Sequence, residues 1–255
     1  MSVLSYLQDR ARNAVLSTTE ESSINTSIAT LKTRLASHFG SNINEQFRFG
    51  SSTRGTILPR VMDEHSDIDY MVVFADGGYS PQTYLDRLRR FVESYYSTSE
   101  IKQSSPTIVL QLNHIKFDLV PALKAYSGYQ IPDGSNNWQG TNPNDFNATL
   151  TSKNNAELSM IKPTIRLAKF WNANAGYVFD SFSLEKWIVS QSFSTVINQR
   201  DYLFRVFDNL GTNKATQWRR ERIERAKTIV KAVRDLERDE YPNLAEAEVK
   251  KLIPA

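Results

Sequence analysis

The spacing of apolar and polar positions predicts the elements of the first half of the chain. Apolar residues recur at helical spacing from Ile24 to Phe39, so this stretch is expected to be an amphipathic helix. Thr18 with Glu21 forms a capping pattern that suits its beginning, and Gly40 suits its end. The other predicted elements are, in chain order, a short strand in QFRFGSS, a strand in DIDYMVVF, a helix in PQTYLDRLRRFVESYYS, and a hairpin of two strands, TIVLQL and IKFDLVPAL.

The second half of the chain is predicted to be helical. It begins after residues 127–145, which are rich in Gly, Pro, Asn and Ser. The segment FNATLTSKNNAELSMIKPTIRLAKFWNANAG has the pattern of one or two helices, FSLEKWIVSQSFSTVI that of another, and the remainder from Tyr202 that of two or three more. We therefore predict an α+β fold in which residues 1–140 form a lobe with a small mixed sheet and the N-terminal helices, residues 141–255 form a helical lobe, and a cleft separates them.

Composition narrows the class of protein. The chain has 255 residues, 40% of them hydrophobic and 23% charged, which is ordinary for a globular protein and argues against disorder. It contains no cysteine, which excludes disulfides and thiolate metal sites. The N-terminus has no signal-peptide pattern, and no stretch approaches the ~20 apolar residues of a membrane span, so we expect a cytoplasmic protein without a membrane partner. The net charge of +3 permits a polyanionic ligand without requiring one.

Two aspartates, one residue apart, begin the predicted strand DIDYMVVF. Residues two apart on a strand face the same side, so Asp67 and Asp69 project together, away from the apolar residues that alternate with them. In IKFDLV the same alternation puts Asp118 on one face with Lys116. If the two strands are neighbours, three carboxylates converge, and Mg²⁺ ions would cancel their repulsion and support phosphoryl transfer. For an Asp-x-Asp pair alone, strand-end surface acids are the more common explanation.

A Gly-Ser step precedes this strand and changes the balance between the two explanations. Gly50 has no side chain to block close approach, and Ser51 offers a hydroxyl and a backbone amide. Backbone N–H groups at such a turn can hold phosphate oxygens. By itself the step is more often a plain turn. Together with the Asp-x-Asp pair and a later strand that carries a single aspartate, it forms a specific combination.

This combination resembles a known family. GSSTRGT, SDIDYMVVF and IKFDLVPAL resemble the nucleotidyltransferases of the polymerase-β superfamily, whose signature is Gly-Gly/Ser followed by Asp-x-Asp. Within it, the chain is most similar to the bacterial CD-NTases, SMODS-type nucleotide synthases related to cyclic GMP-AMP synthase. The likeness covers about residues 45–195. It continues past the aspartates, since WQGTNPNDFNATLTSKN looks like the stretch that joins the two lobes in that family.

The resemblance implies roles for particular residues. It implies that Asp67, Asp69 and Asp118 are catalytic and bind the metal, Mg²⁺ with Mn²⁺ as an alternative, and that Gly50 and Ser51 hold the β- and γ-phosphates. IRLAKFWN looks like the helix whose lysine holds the triphosphate, which maps onto Lys169. SFSLEKWI looks like the next helix, whose serine contacts the triphosphate and whose aromatic stacks on a base; they map onto Ser181 and Phe182. Without the resemblance, a lysine stem on apolar surface with its ammonium in water would be the expected arrangement of Lys169.

The resemblance also implies a function. It implies an enzyme that binds NTPs such as ATP in the cleft, joins them with release of pyrophosphate, and makes a cyclic or short linear oligonucleotide for a downstream effector in anti-phage defence. Three alternatives stay open: a nucleotidyltransferase that acts on an RNA or DNA end or on a protein hydroxyl, a non-catalytic module that senses nucleotides, and an interaction protein with surface acids.

Clustered basic residues raise the question of nucleic-acid binding. Arg219 to Lys227 lie within QWRRERIERAKTIVKAVRDLER, but an apolar stripe and interleaved acidic residues favour a solvated amphipathic helix. Nucleic acid is therefore a less favoured partner, and this helix with Lys214 is where it would bind. Arg54 and Arg60, between the Gly-Ser step and the aspartates, are either solvated or phosphate contacts.

Overall fold

Helices and strands cover most of the residues that the computed structural model describes, which are 2–104, 106–213 and 215–255. Lys214 lies outside them. The helices are α1 Val3–Asn13, α2 Thr18–Phe39, α3 Ser51–Arg54, α4 Pro81–Tyr95, α5 Asp145–Ala156, α6 Ile161–Asn174, α7 Ser181–Ser190, α8 Gln199–Asn209, α9 Gln217–Arg238 and α10 Pro242–Val249. The strands are β1 Ile43–Phe49, β2 Asp67–Phe74, β3 Glu100–Ser104, β4 Thr107–Gln111, β5 Lys116–Lys124, β6 Tyr129–Asp133 and β7 Asn137–Thr141. The predicted α+β class is confirmed.

The sheet is mixed and brings β2 and β5 together. Its strand order is β1-β2-β5-β4-β3, with β6 paired to the end of β5 and β7 paired to β6. The β2 and β5 pair is parallel, and all the other pairs are antiparallel. The predicted hairpin of β4 and β5 is confirmed. Since β2 and β5 run in the same direction, the residues at their beginnings meet at one edge of the sheet.

Both faces of the sheet are buried. One face packs its alternate β2 residues against helices α2 and α4, and these residues are Ile68, Tyr70, Val72 and Phe74. The opposite face carries a smaller cluster of Met71, Val73 and Ala122. Burying a large apolar side chain contributes about 1.5–3 kcal/mol, so β2 is anchored from both sides. This anchoring holds its first residues in a rigid position.

The chain divides into two compact units. One contains Met1–Val15, Val61–Asp63 and Ala148–Ala255, and the other contains Leu16–Arg60 and Glu64–Asn147. This grouping places the N-terminal helix and residues 61–63 apart from the rest of the expected lobe of residues 1–140. Helix α1 groups with the C-terminal helices because it packs against α6, α8 and α10, and the hydroxyl of Tyr6 donates to the carbonyl of Ile253 at 2.7 Å.

One pair of strands was not among the predicted elements. Residues 127–145 contain the hairpin of β6 and β7, which extends the sheet to Thr141. Gly128, in the turn from β5 to β6, adopts φ 74°, and Gly134, in the turn from β6 to β7, adopts φ 72°. Residues other than glycine rarely adopt these values. Sequence composition alone does not reveal this pairing because the strands are short and polar.

Two helix ends also differ from the expectation. The capping box of α2 is formed by Ser17 and Glu20, because Ser17 is extended whereas Thr18 already has helical geometry. The helix predicted for FSLEKWIVSQSFSTVI ends at Ser190, and Phe193 beyond it stacks on Tyr202 with ring centroids 4.8 Å apart. None of the helices in the described part of the chain has the length and apolar character needed to cross a membrane.

Candidate active site

Three aspartates meet where β2 and β5 begin. In the parallel pairing of the two strands, Asp69 lies directly opposite Asp118, and Asp67 lies opposite Lys116. The prediction that the two strands are neighbours is therefore confirmed, and their register brings the three aspartates to the beginnings of adjacent strands. Like charges that face each other across a strand pair destabilise the sheet, so this arrangement needs a compensating positive charge.

Lys116 supplies positive charge within the cluster. Its Nζ lies 3.1 Å from Oδ2 of Asp67 and 3.7 Å from Oδ1 of Asp118. Burial disfavours the charged ammonium, but the charges of Asp67 and Asp118 outweigh this effect and raise the pKa of Lys116. Lys116 was not among the predicted site residues. Its position two residues before Asp118, on the same strand face, is the sequence signal that could have identified it.

Asp118 is compensated less closely by Lys116 than Asp67 is. Burial, followed by the negative charge of Asp67, raises the pKa of Asp118 to about 6. Among the residues that the structure describes, none donates a hydrogen bond to its buried Oδ1. A buried carboxylate oxygen that lacks a hydrogen-bond donor, with the Lys116 ammonium 3.7 Å away, is suited to a bound cation.

The donor set fits a hard divalent ion. Carboxylate oxygens are the ligands that Mg²⁺ and Mn²⁺ prefer, and the buried Oδ1 of Asp118 lacks a donor. The described residues do not include three acidic, His or Cys side chains already arranged around an ion position. The ammonium of Lys116 instead contacts two of the carboxylates. An ion held by both Asp67 and Asp118 would take over the charge compensation that Lys116 now provides.

Gly50 lies against the carboxylate of Asp69. It adopts φ 74° and ψ −154°, a conformation that is essentially restricted to glycine. A Cβ atom on this residue would lie 1.8 Å from Oδ2 and 2.7 Å from Cγ of Asp69. The expected close approach at Gly50 is therefore present, and within this structure the group that approaches is the carboxylate of Asp69.

Ser51 differs from the two polar residues that follow it. The hydroxyl of Ser52 donates to the carbonyl of Phe49 at 3.1 Å, and that of Thr53 donates to the carbonyl of Gly50 at 2.9 Å. These bonds stabilise the turn into α3. The hydroxyl of Ser51 has no hydrogen-bond partner within residues 2–104, 106–213 and 215–255. It is therefore available to a ligand.

Lys169 is buried in the helical unit. Its side chain is 7% exposed, and its Nζ lies 3.1 Å from Oε1 of Glu185, which is fully buried. The alternative in which the ammonium of Lys169 lies in water is therefore wrong. The ion pair joins α6 to α7 across sixteen residues of sequence. Glu185 was missed by the sequence analysis, although a glutamate on the apolar side of SFSLEKWI is the signal that could have identified it.

The two predicted residues of α7 stand at its beginning. Ser181 is the first helical residue, after Asp180, whose side chain accepts a hydrogen bond from the backbone N–H of Ser183 at 2.8 Å. Phe182 is 41% exposed, and Nζ of Lys186 lies 4.8 Å from its ring centroid. An exposed aromatic ring beside a cation suits stacking with a base. Lys169, Ser181 and Phe182 all belong to the helical unit, whereas the aspartates and Gly50-Ser51 belong to the sheet unit.

The two arginines between the Gly-Ser step and the aspartates differ from each other. Arg54 is buried, and its guanidinium lies 5.9 Å from the ring centroid of Phe146. Arg60 donates a hydrogen bond to the carbonyl of Glu64 at 3.1 Å. Arg54 is therefore a packed residue of the sheet unit, and a role in phosphate binding stays a prediction for both.

Solved structures of CD-NTases share this fold. The cyclic AMP-GMP synthase DncV of Vibrio cholerae, solved with the linear intermediate pppA(3′,5′)pG, superposes with a TM-score of 0.79 at 9% identity, over 99% of this chain and 95% of that chain. CdnC of E. coli MS115-1, solved in a complex with HORMA-deltaN, has a TM-score of 0.75 at 16% identity, over 100% of this chain and 98% of that chain. The fold expected from the sequence is therefore confirmed.

Sequence similarity identifies the family. A protein of Bacillus cereus (strain VD146) named "probable cyclic nucleotide synthase" is 30% identical over 181 residues, 55% of this chain and 54% of that protein, so the matched region spans about half of that relative. Residues 1–154 match the Second Messenger Oligonucleotide or Dinucleotide Synthetase (SMODS) domain, more than half of the 255 residues. The matched region contains Gly50, Ser51 and all three aspartates of the site. The chain therefore belongs to the SMODS domain family.

Proposed function

We propose that the protein joins nucleoside triphosphates in a divalent-metal-dependent reaction that releases pyrophosphate. The observation that carries this proposal is the meeting of Asp67, Asp69 and Asp118 on paired strands with Gly50 against one of them, in a chain of the SMODS family. Such a site suits attack of a ribose hydroxyl on an α-phosphorus. A new oxygen–phosphorus bond forms, the bond between the α-phosphorus and its bridging oxygen breaks, and pyrophosphate leaves.

The three aspartates would hold Mg²⁺ or Mn²⁺. When bound, the ions supply activation of the attacking hydroxyl and neutralise the charge that develops on the leaving pyrophosphate. Asp67 and Asp69 provide ligands from β2, and Asp118 provides one from β5. Asp118 also accepts the proton of the attacking hydroxyl at Oδ1, the oxygen without a hydrogen-bond donor within the described residues.

The remaining predicted residues would hold the nucleotide. The hydroxyl of Ser51 and the backbone at Gly50 bind the β- and γ-phosphates. From the helical unit, Ser181 contacts the triphosphate and Phe182 stacks on a base, as the family resemblance implies. For Lys169, direct contact with the triphosphate requires access to an ammonium that is buried beside Glu185, so the ion pair supports a second role in which it fixes the beginning of α7.

The product we propose is a cyclic or short linear oligonucleotide that acts as a signal in anti-phage defence. Support comes from the name of the family, which describes second-messenger synthesis, and from that of the Bacillus cereus relative, a cyclic nucleotide synthase. The Vibrio cholerae neighbour is a cyclic AMP-GMP synthase, and the E. coli neighbour was solved with a HORMA protein. An effector that recognises the product would be the partner in such signalling.

Mass spectrometry of reaction products tests the proposal. Purified protein is incubated with the four NTPs and Mg²⁺ or Mn²⁺, without any other acceptor. We expect oligonucleotide together with pyrophosphate, and neither with EDTA or with Asp69→Asn. Asp133→Asn is the matched control, because Asp133 is an exposed aspartate at the end of β6, outside the carboxylate cluster. Product that forms only after addition of RNA, DNA or protein would favour the alternative acceptors, and full turnover by Asp69→Asn would contradict the metal assignment.

A further inference from the structure

A basic pocket lies in the helical unit. It has a volume of about 230 Å³ and is bounded by α6, α9 and the residues after α10. Its walls include the cationic side chains of Arg222, Arg225 and Lys251 and the apolar side chains of Trp171, Ile229 and Leu252. None of the described residues that line it is acidic. The basic residues of α9 were expected to form a solvated helix face, whereas the fold places two of them in the wall of a concave site.

The two pocket arginines differ from Arg234 and Arg238 on the same helix, which pair with carboxylates. Arg234 forms a bidentate pair with Asp208 at 2.9 and 2.7 Å, and Arg238 pairs with Asp235 at 2.9 Å. Across residues 2–104, 106–213 and 215–255, the guanidiniums of Arg222 and Arg225 have no carboxylate or hydrogen-bond partner. Unpaired guanidiniums retain their five N–H donors for a ligand.

Tertiary structure brings the third cation to the same place. Arg222 and Arg225 are three residues apart on α9 and therefore lie on one face of the helix. Lys251 comes from the segment after α10, and α10 packs against α9. Nζ of Lys251 lies 2.5 Å from Glu248, which is not part of the pocket wall. Three positive charges from two segments therefore face one small volume.

The pocket wall also offers apolar surface. Trp171 and Ile229 are each 6% exposed and Leu252 is 1% exposed, so the accessible apolar surface is small and firmly packed. The ring of Trp171 makes an edge contact with Phe207 at 5.1 Å, which fixes its orientation. Cations beside a rigid apolar wall fit a ligand that has both an anionic part and an organic part. The small volume and concave shape suit a small molecule better than a nucleic-acid strand, which would require a continuous basic surface.

We propose that this pocket binds a phosphate-bearing small molecule of the nucleotide class, held by Arg222, Arg225 and Lys251 through its phosphates. The guanidiniums donate paired hydrogen bonds to phosphate oxygens, and the apolar wall contacts the remainder of the ligand. All the residues that line the pocket belong to the helical unit, whereas the three aspartates belong to the sheet unit. The proposal does not depend on the reaction proposed above.

Calorimetric titration in EDTA tests the proposal, with ADP and inorganic pyrophosphate as probes. EDTA suppresses binding that requires a metal ion at the aspartates. We expect metal-independent binding to the wild type that weakens about tenfold or more in Arg222→Gln/Arg225→Gln, because each substitution removes charge-assisted hydrogen bonds. The control is Arg219→Gln/Arg220→Gln, two exposed residues of the same helix outside the pocket, and it should bind as the wild type does.

The two probes distinguish what the pocket holds. Tighter binding of ADP than of pyrophosphate would assign a contribution to the apolar wall, and equal binding would assign the affinity to the phosphates; both support a phosphate site. Equal affinity of wild type and Arg222→Gln/Arg225→Gln for both probes would overturn the proposal. So would an absence of metal-independent binding to the wild type, or, in a parallel titration with a single-stranded oligonucleotide, a defect of that variant limited to the oligonucleotide.

Discussion

The negative charges of the carboxylate cluster are compensated unevenly at individual residues. Asp118 is buried and faces Asp69 across the strand pair, while Lys116 compensates Asp67 more closely than it compensates Asp118. Without a metal ion, the charged form of Asp118 therefore lowers the stability of the fold. This is a common property of functional sites, where groups are arranged for a ligand and not for stability alone.

Asp118→Asn is expected to stabilise the metal-free protein in a pH-dependent manner. The pKa of Asp118 is raised to about 6 in the folded state, so the stability of the wild type falls as the pH rises from about 4 through 6. We expect the variant to unfold with a free energy ~1–2 kcal/mol higher than the wild type at pH 8, and with little difference at pH 4. Urea unfolding in EDTA measures this.

Asp133→Asn serves as the control for this experiment, because Asp133 is exposed and should show no difference at either pH. An equal effect of Asp118→Asn at both pH values would show that charge at this position is not the cause.

Gly50→Ala is expected to destabilise the protein and abolish NTP joining. The positive φ adds about 1–3 kcal/mol of strain, and the new Cβ would lie 1.8 Å from Oδ2 of Asp69, which must move. Gly134→Ala is a matched control, since Gly134 has φ 72° and no atom within 4 Å of the added Cβ. Unfolding free energies and product formation are measured for both. Equal behaviour of the two variants would refute the close approach to Asp69.

The ion pair between α6 and α7 determines the role of Lys169. Helices α6 and α7 each bury one member of an ion pair, and neither charge has enough contact with water to be stable alone. The beginning of α7, with Ser181 and Phe182, is therefore tied to α6 by this pair. A loss of activity after substitution of Lys169 would have two explanations, a lost phosphate contact or a displaced helix.

A double substitution separates these explanations. Lys169→Met alone is expected to lower the free energy of unfolding by about 3–5 kcal/mol, because it leaves Glu185 buried without its ion-pair partner. Lys169→Met/Glu185→Leu should recover most of this stability in thermal or urea unfolding. If Lys169 contacts the triphosphate, the stable double variant is inactive; retained activity would limit its role to fixing α7.

At the scale of the whole molecule, α1 packs against helices that are far away from it in the sequence. Leu7 is fully buried, and the helix packs against α6, α8 and α10. Residues 61–63 also join this unit, where Asp63 accepts a hydrogen bond from the hydroxyl of Tyr177 at 2.6 Å. The helical unit is therefore assembled from three separate parts of the chain, which is why its stability depends on long-range contacts.

Leu7→Ala is expected to loosen the helical unit selectively. Truncation of a fully buried leucine costs about 2–5 kcal/mol, and the effect should increase amide hydrogen exchange in α6, α8 and α10 before it does so in β2 and β5. Leu35→Ala is the matched control in the sheet unit, where Leu35 is also fully buried, and it should show the reverse order. The same order for both variants would contradict the assignment of α1.

The sequence by itself determined most of the longer elements and the chemical identity of the site. Alternation around Asp67 and Asp69 predicted their common face, and the same rule applied to Asp118, because side-chain direction on a strand depends only on local geometry. Gly50, Ser51 and the family resemblance followed from short motifs. The hairpin of β6 and β7 escaped prediction because its short polar strands carry little periodic signal.

Only the tertiary structure decided which charges meet. Lys116 compensates two aspartates because β2 and β5 are parallel neighbours, and Lys169 is buried on Glu185 because α6 and α7 pack together. The pocket of Arg222, Arg225 and Lys251 exists because α10 returns along α9. The physical reason is common to all three: periodicity is a property of neighbouring residues, whereas ion pairs, pKa shifts and pockets depend on distances between residues remote in sequence.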